Sequence, residues 1–206
     1  GFYSTHPVTA DRIATLTDSY KQDPAWTRPD DAALQARFLR AKAKLFGYLG
    51  TPRDTLYSYP EYVTTVPARY ARAYAWHKDA HLDKAMAETE KLLAMAPSDP
   101  FFLELKGQIL LESGKPDEAL TSLRKAVDLT GNQPLIAAVF GHALIATEDK
   151  ANLAEAERVL KAAVSKDNNN PFAWYQLGVV YQALGDEPRA ALASAERYLM
   201  EGAPQL

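Results

Sequence analysis

Two histidines, His77 and His81, are the side chains in this sequence whose type and spacing come nearest to a metal site. Residues four apart lie on one face of a helix, and that spacing can hold zinc. A hydrolytic site of this kind also needs a glutamate directly after the first histidine as general base, and Lys78 occupies that position. The chain has no cysteine, and no third ligand suggests itself nearby in the sequence. We therefore predict a solvated helix end here, with no metal site and no cofactor in this chain.

Other arrangements that carry chemistry are missing from the sequence. It has no phosphate-binding glycine loop, no dinucleotide fingerprint and no cysteine or serine nucleophile arrangement. The acidic pairs at 30–31 and 117–118 stand where helices are predicted to begin, and acidic side chains are favourable at the positive end of a helix. We predict that this chain is not itself an enzyme.

Composition and charge exclude further classes. Of the 206 residues, 47% are hydrophobic and 24% charged, which is ordinary for a protein with a packed core. The net charge is -3 and there is no long basic run, which argues against a nucleic-acid or anionic-membrane partner. No apolar stretch reaches the roughly 18–20 residues that a bilayer span needs.

Three glycines, Gly107, Gly141 and Gly178, recur at an interval close to that of the tetratricopeptide (TPR) repeat, a helical hairpin of about 34 residues. Ala119 lies twelve residues after Gly107, and Ala190 lies twelve residues after Gly178. Small residues at such positions let the two helices of a hairpin approach closely. The predicted units are 66–99, 100–133, 134–170 and 171–204, the third with a longer turn. The predicted fold is all-α, a TPR-type right-handed helical solenoid; four unrelated amphipathic hairpins are the alternative.

The first 65 residues do not join the repeat. The sequence predicts a short helix from Thr9 to Tyr20 and a longer one from Asp30 to Tyr48, whose apolar stripe contains Leu34, Phe38, Leu45 and Tyr48. Residues 49–60 are interpreted as a poorly defined connector. We expect the longer helix to pack on the first repeat, so that residues 30–65 form an N-terminal helical cap and connector.

The segment around His6, Ser4-Thr5-His6-Pro7 followed by Arg12-Ile13, remains after these assignments. On physical grounds it is a histidine in an extended stretch before a proline. The segment resembles the final motif of zinc metalloprotease domains of the HtpX/CAAX-endoprotease type. A TPR array directly after it is similar to the periplasmic, TPR-tailed branch of that family, the BepA-like proteases.

The resemblance implies a C-terminal piece of such a protease. Residues 1–29 would be the tail end of the metalloprotease domain, and His6 would lie near the active site of the parent. The sequence contains no H-E-x-x-H motif, so the zinc and the catalysis would belong to a part of the parent that precedes this chain. The resemblance also implies a periplasmic location and a role in outer-membrane quality control.

In a TPR solenoid the first helix of each hairpin lines the inner surface, where partners bind. The positions predicted to face it combine aromatic rings and amides with few charges, which suits an extended or unfolded polypeptide. They are Tyr70, Tyr74, His77, Phe101, Glu104, Gln108, Leu111, Leu135, His142, Ile145, Phe172, Tyr175 and Gln182.

Together these features predict a non-catalytic protein-interaction module of a zinc metalloendopeptidase. It would bind an unfolded or extended protein substrate or an outer-membrane assembly partner. The alternative is a free-standing TPR adaptor or scaffold with no protease parentage. Because no further hairpin is predicted after the last helix, near Ala191, Ala195 and Leu199, a homodimer through that helix is a further expectation.

Overall fold

The computed structural model of this chain describes residues 9–29 and 31–202, and that part contains eleven α-helices and no β-strand. The predicted all-α class is therefore confirmed. Contacts divide the chain into two compact units, Gly1–Leu39 and Arg40–Leu206. None of the helices described is long and apolar enough to cross a membrane.

The first unit contains α1 (Thr9–Lys21), a 3₁₀ turn (Pro24–Thr27) and the beginning of α2 (Ala32–Leu49). The side chain of Asp31 accepts hydrogen bonds from the backbone N–H groups of Ala33 and Leu34, which fixes the start of α2. Both predicted helices are confirmed, although Asp30 lies outside the described residues. No residue of α1 is buried, and Leu34 and Phe38 of α2 are also exposed.

The second unit is a series of helical hairpins in chain order. After the short α3 (Pro52–Ser58), four longer hairpins follow, and each has a first helix, here called an A helix, and a second helix, here called a B helix. The A helices are α4 (Val66–Lys78), α6 (Pro100–Glu112), α8 (Pro134–Ala146) and α10 (Pro171–Ala183); the B helices are α5 (Leu82–Met95), α7 (Pro116–Leu129), α9 (Leu153–Lys166) and α11 (Glu187–Met200). Each B helix contacts its own A helix and, where one follows, the next A helix. This sequential stacking is the predicted TPR-type solenoid.

The starts of the A helices follow from local chemistry. Thr65, Asp99, Gln133 and Asn170 each precede an A helix and accept a hydrogen bond from a backbone N–H group in its first turn. A proline occupies one of the first two positions of all four helices, where its missing N–H costs nothing. The extra residues of the third unit form a 3₁₀ turn, Lys150–Asn152, between α8 and α9.

Two glycines of the A helices, Gly107 and Gly141, face leucines of the B helices, whereas Gly178 faces Ala193 and the backbone of the predicted Ala190. A Cβ atom on Gly107 would lie 2.6 Å from Leu123 Cδ2, and one on Gly141 would lie 2.6 Å from Leu160 Cδ2. The B helix runs back along the A helix. In the second hairpin Leu123 lies one turn beyond the predicted Ala119 and fills the space next to Gly107. Gly178 is looser, since its Cβ would lie 3.5 Å from Ala193 Cβ.

The stretch interpreted as a connector contains a helix, α3, so that interpretation is wrong. The Thr51 hydroxyl accepts a hydrogen bond from the Asp54 backbone N–H at 3.1 Å, and Pro52 occupies the first turn. These are the signals that begin the A helices. The side chain of Thr55 is fully buried against the hairpins that follow.

A buried arginine fastens the segment after α3 to the first hairpin. Arg72 of α4 is 0% exposed. Its Nη1 atom donates to the carbonyl oxygens of Tyr59, Pro60 and Val63 at 3.2, 2.8 and 2.8 Å. Its Nη2 atom lies 3.1 Å from Oε2 of Glu88 on α5.

The part of α2 in the second unit, from Arg40 onwards, packs on α4 chiefly through small residues, and of the predicted stripe Tyr48 contacts α4, with its ring 5.8 Å from that of Tyr74. Leu45 and Tyr48 are 58% and 53% exposed, whereas Ala43 and Gly47 are buried. A Cβ atom on Gly47 would lie 2.7 Å from the Ala71 carbonyl oxygen. The small residues therefore form the contact, because only they allow the two backbones to approach so closely.

Candidate protein-binding surface

The A helices carry a row of exposed apolar side chains. Phe101, Leu135 and Phe172 each directly follow the proline at which α6, α8 or α10 begins, and they are 44%, 60% and 41% exposed. Tyr175, one turn further along α10, is 47% exposed. The repeat thus places one large apolar side chain at the same register of three successive hairpins. We call the exposed surface of α6, α8 and α10 the A-helix face.

A hydrogen-bonded polar chain links the later turns of α4 and α6. The Tyr74 hydroxyl donates to Gln108 Oε1 at 3.1 Å, and Gln108 Nε2 donates to Glu112 Oε1 at 2.8 Å. The other carboxylate oxygen, Glu112 Oε2, lies 2.7 Å from His77 Nε2. The Glu112 carboxylate is therefore held on both oxygens.

The electrostatics of this chain favour an ionised carboxylate. The hydrogen bond from His77 lowers the pKa of Glu112, and the hydrogen bond from Gln108 acts in the same direction. His142 of α8 stands close enough for its charge to be felt by Glu112. Burial lowers the pKa of His142, while the nearby Glu112 charge opposes that shift. The His142 ring contacts Phe172 edge to face, with centroids 5.7 Å apart.

Two of the tyrosines predicted to line the surface are interior residues. Tyr70 and Tyr74 are 1% and 2% exposed, so the prediction that they meet a partner directly is wrong for both. The Tyr70 hydroxyl donates to the Phe101 carbonyl oxygen at 3.3 Å, and the ring of Tyr48 on α2 lies 5.8 Å from that of Tyr74. Burial raises the pKa of both phenols. Both tyrosines therefore contact α6 from the protein interior.

Glu104 is also covered, and two basic residues of α2 lie against the acidic groups at the start of α6. Lys44 Nζ lies 2.7 Å from Glu104 Oε2, and Glu104 is 7% exposed. Arg40 donates from both terminal nitrogens to the two oxygens of Asp99, each at 2.6 Å. The Arg40 guanidinium also lies 5.2 Å from the ring centroid of Phe101. The chain itself therefore neutralises the acidic groups at the start of α6.

The other residues that the sequence predicted to bind a partner or a metal lie in separate places. Gln182 is exposed on α10 and, with Tyr175, lines an open cleft of about 490 Å³ between α10 and α11. His6 lies outside the described residues. His81 lies beyond the end of α4 at Lys78, so it does not share a helical turn with His77 as the spacing suggested. It lies 3.3 Å from Asp79 instead.

Across residues 9–29 and 31–202 no group of three or more His, Cys, Asp or Glu side chains could hold a metal ion. Glu112 was not among the residues that the sequence predicted to face a partner. A signal was present, because Glu112 is the last residue of α6 and directly follows three apolar residues, Ile109, Leu110 and Leu111.

Comparison with known proteins supports the repeat. Residues 102–133 match the tetratricopeptide repeat family. The matched segment is close to one TPR repeat in length. It contains all of α6 after its first two residues and the whole of α7.

Two curated proteins are similar over longer stretches. The beta-barrel assembly-enhancing protease of Escherichia coli (strain K12) is 26% identical over 205 residues, which are 96% of this chain and 40% of that protein. The cytochrome c-type biogenesis protein CycH of Rhizobium meliloti (strain 1021) is 27% identical over 147 residues, 69% of this chain and 38% of that protein. The chain thus spans about 40% of the length of the curated relatives it matches.

A solved structure of MamA (residues 41 to the end) from Desulfovibrio magneticus RS-1 has the same fold. It superimposes with a TM-score of 0.65 and 19% identity, over 83% of this chain and 97% of the MamA chain. Identity at this level shows the fold alone. The comparison confirms a TPR-type arrangement beyond the single repeat that matches the family.

Proposed function

We propose that this chain is a non-catalytic protein-interaction module that binds an extended or unfolded polypeptide on the A-helix face. The observation that carries the proposal is the row of exposed apolar side chains, Phe101, Leu135 and Phe172, at one register of three hairpins. Exposed aromatic residues provide contact area at low entropic cost. The polar chain around Glu112 offers donors and acceptors beside them.

The proposed parent is a periplasmic zinc metalloendopeptidase related to the beta-barrel assembly-enhancing protease. The similarity to that protein extends over 96% of this chain, including residues before the repeats. On this proposal the module recruits protein substrates or an outer-membrane assembly partner, and the zinc belongs to another part of the parent. The sequence has no H-E-x-x-H motif. The chain with added zinc should therefore leave unfolded casein intact, and cleavage would reject the non-catalytic assignment.

A free-standing TPR scaffold is the second candidate. It is favoured by the MamA likeness, in which a similar array makes up 97% of the solved chain. The reading frame upstream of this segment discriminates between the two. An H-E-x-x-H helix encoded there supports the protease parent, and its absence from the complete gene favours the scaffold.

Binding on the A-helix face is tested with a permanently unfolded protein, reduced and carboxymethylated lactalbumin, carrying a fluorescent label. Fluorescence anisotropy should show several-fold weaker binding for Phe172→Ser than for the unchanged chain. Leu129→Ser is the matched control, because Leu129 is a large apolar residue 49% exposed on a B helix, α7. Equal weakening by both variants would contradict binding on the A-helix face.

A homodimer through α11 is proposed as well. Leu192 and Leu199 of this helix are 57% and 64% exposed, and exposed apolar faces are common at interfaces. Light scattering should give a dimer that becomes monomeric when Leu192 and Leu199 are both changed to serine. A monomer at all concentrations would count against this part of the proposal.

A further inference from the structure

The charged groups along α6 are unequally compensated. Asp99 is paired with Arg40 and Glu104 with Lys44, so each of these carboxylates already has a cation at 2.6 to 2.7 Å. Glu112 has no such cation. Its one ion-pair partner in the described part of the chain is His77, whose ring donates a hydrogen bond whether or not it is charged.

The position of the Glu112 carboxylate is fixed in advance of any ligand. Gln108 holds one of its oxygens and His77 holds the other. Gln108 is itself oriented by the hydroxyl of Tyr74, a side chain in the protein interior. A group held this way loses little conformational entropy on binding, so its contacts add fully to affinity.

The carboxylate still has capacity to bind. A carboxylate has about four lone-pair sites, and the two bonds described use one on each oxygen. The side chain of Glu112 is 47% exposed, so the remaining lone pairs are within reach of solvent. A guanidinium fork or an ammonium group fits the two free sites.

The surroundings of Glu112 suit the rest of such a side chain. His142 lies alongside and its ring contacts Phe172, which is 41% exposed. Aromatic faces accept the alkyl stem of lysine or the flat guanidinium of arginine. An apolar row and a carboxylate without a lysine or arginine partner in the described part of the chain therefore lie on the same face.

We propose that Glu112 receives an arginine or lysine side chain of the bound polypeptide, so that the A-helix face selects segments in which a basic residue stands among apolar ones. This inference rests on the proposed function, since it specifies the chemistry of the partner for the same surface. Apolar contacts alone would not distinguish a charged side chain from a neutral one of the same shape. Here the preference is for a positive charge, and it acts at Glu112.

The test uses labelled peptides that are identical except for one central residue in an apolar sequence. That residue is arginine in one peptide and citrulline, its neutral isostere, in the other. Fluorescence anisotropy with the unchanged chain should show the arginine peptide binding about fivefold more tightly, as expected of a half-exposed charged contact. Raising the salt from about 0.1 M to about 1 M should reduce this preference, because the shorter Debye length screens exposed charges.

Two variants locate the preference. Glu112→Gln keeps the shape of the side chain and should reduce the ratio between the two peptides to about one. Glu118→Gln is the matched control, because Glu118 is an exposed acid on the B helix α7, paired with Lys115. It should leave the ratio unchanged.

The outcomes separate the two claims. If both peptides bind the unchanged chain equally, the inference about Glu112 is overturned while peptide binding stands. If neither peptide binds, the proposed function itself fails, and the inference fails with it. Equal binding of the two peptides to the unchanged chain overturns the inference even if Glu112→Gln proves unfolded by circular dichroism, and a folded Glu112→Gln that keeps the preference for arginine overturns it as well.

Discussion

Replacing Arg72 by alanine should destabilise the first hairpin strongly. The change removes a guanidinium that is 0% exposed and leaves the carbonyl oxygens of residues 59, 60 and 63 without its donors. Breaking a buried ion pair costs about 3–5 kcal/mol. The lower end applies here, because Glu88 retains Arg69 at 3.1 Å. We therefore expect a loss of about 3 kcal/mol, a large share of the roughly 5–15 kcal/mol that holds a domain folded.

The assay must distinguish one end of the solenoid from the other, since a repeat array can unfold in parts. Two tryptophans stand in suitable places, Trp76 on α4 and Trp174 on α10. Chains that keep one of them, with the other and Trp26 changed to phenylalanine, report on the first or the last hairpin. With a slope of about 2 kcal/mol/M in urea, Arg72→Ala should lower the Trp76 midpoint by about 1.5 M. The Trp174 midpoint should move much less.

Arg124→Ala provides the control for removal of an arginine. Arg124 lies 2.7 Å from Glu155, but its side chain is 43% exposed. Exposed pairs contribute about 0–1 kcal/mol because water and salt screen them. Equal midpoint shifts for Arg72→Ala and Arg124→Ala would refute the claim that burial makes the first network important.

Three further predictions follow from packing and burial. Gly107→Ala should cost about 1–3 kcal/mol by overpacking, whereas Gly178→Ala, with more room, should leave the melting temperature near that of the unchanged chain. The reverse order would contradict the packing described for the two glycines. Tyr74→Ala should lower the free energy of unfolding by about 3–5 kcal/mol, and Tyr175→Ala should lower it far less. Urea titration distinguishes the two losses. Equal losses would mean that Tyr175 is a core residue. Burial lowers the pKa of His142, so the free energy of unfolding should be highest above the ordinary histidine pKa of about 6.5 and should fall as the pH drops through the lowered pKa. His142→Gln should lack the part of this loss that His142 causes. Identical pH profiles for the variant and the unchanged chain would contradict the prediction.

The repeat could be predicted from the sequence because its signals are local. A cap residue followed by a proline within two positions begins each A helix, and a glycine recurs in the middle of α6, α8 and α10. These features act within a few residues of where they stand. The same local signals were present at Thr51 and Pro52, so the missed α3 was predictable as well. The start of α2 at Ala32 even precedes that of α4 by the interval that separates α4 from α6.

Exposure at the inner positions could not be predicted, because it depends on what lies across from them. Tyr70 and Tyr175 occupy equivalent positions of their A helices, yet one is 1% and the other 47% exposed. The difference arises because α2, which lies outside the predicted repeats, covers Tyr70, with Arg40 5.8 Å and Lys44 6.0 Å from its ring centroid. A repeat register assigns the direction of a side chain but not the neighbour that it meets.

The same covering helix determines where a partner can bind. Along α4 the inner side chains are buried, and at the start of α6 Arg40 and Lys44 supply the cations that the acidic groups require. Further along α6 no lysine or arginine of the described chain reaches Glu112, and the aromatic residues of α10 remain exposed. In this region Glu112 thus has no lysine or arginine partner, and apolar side chains remain exposed to water. Because both costs are relieved together when a basic and apolar segment binds there, this region is where affinity and selectivity should coincide.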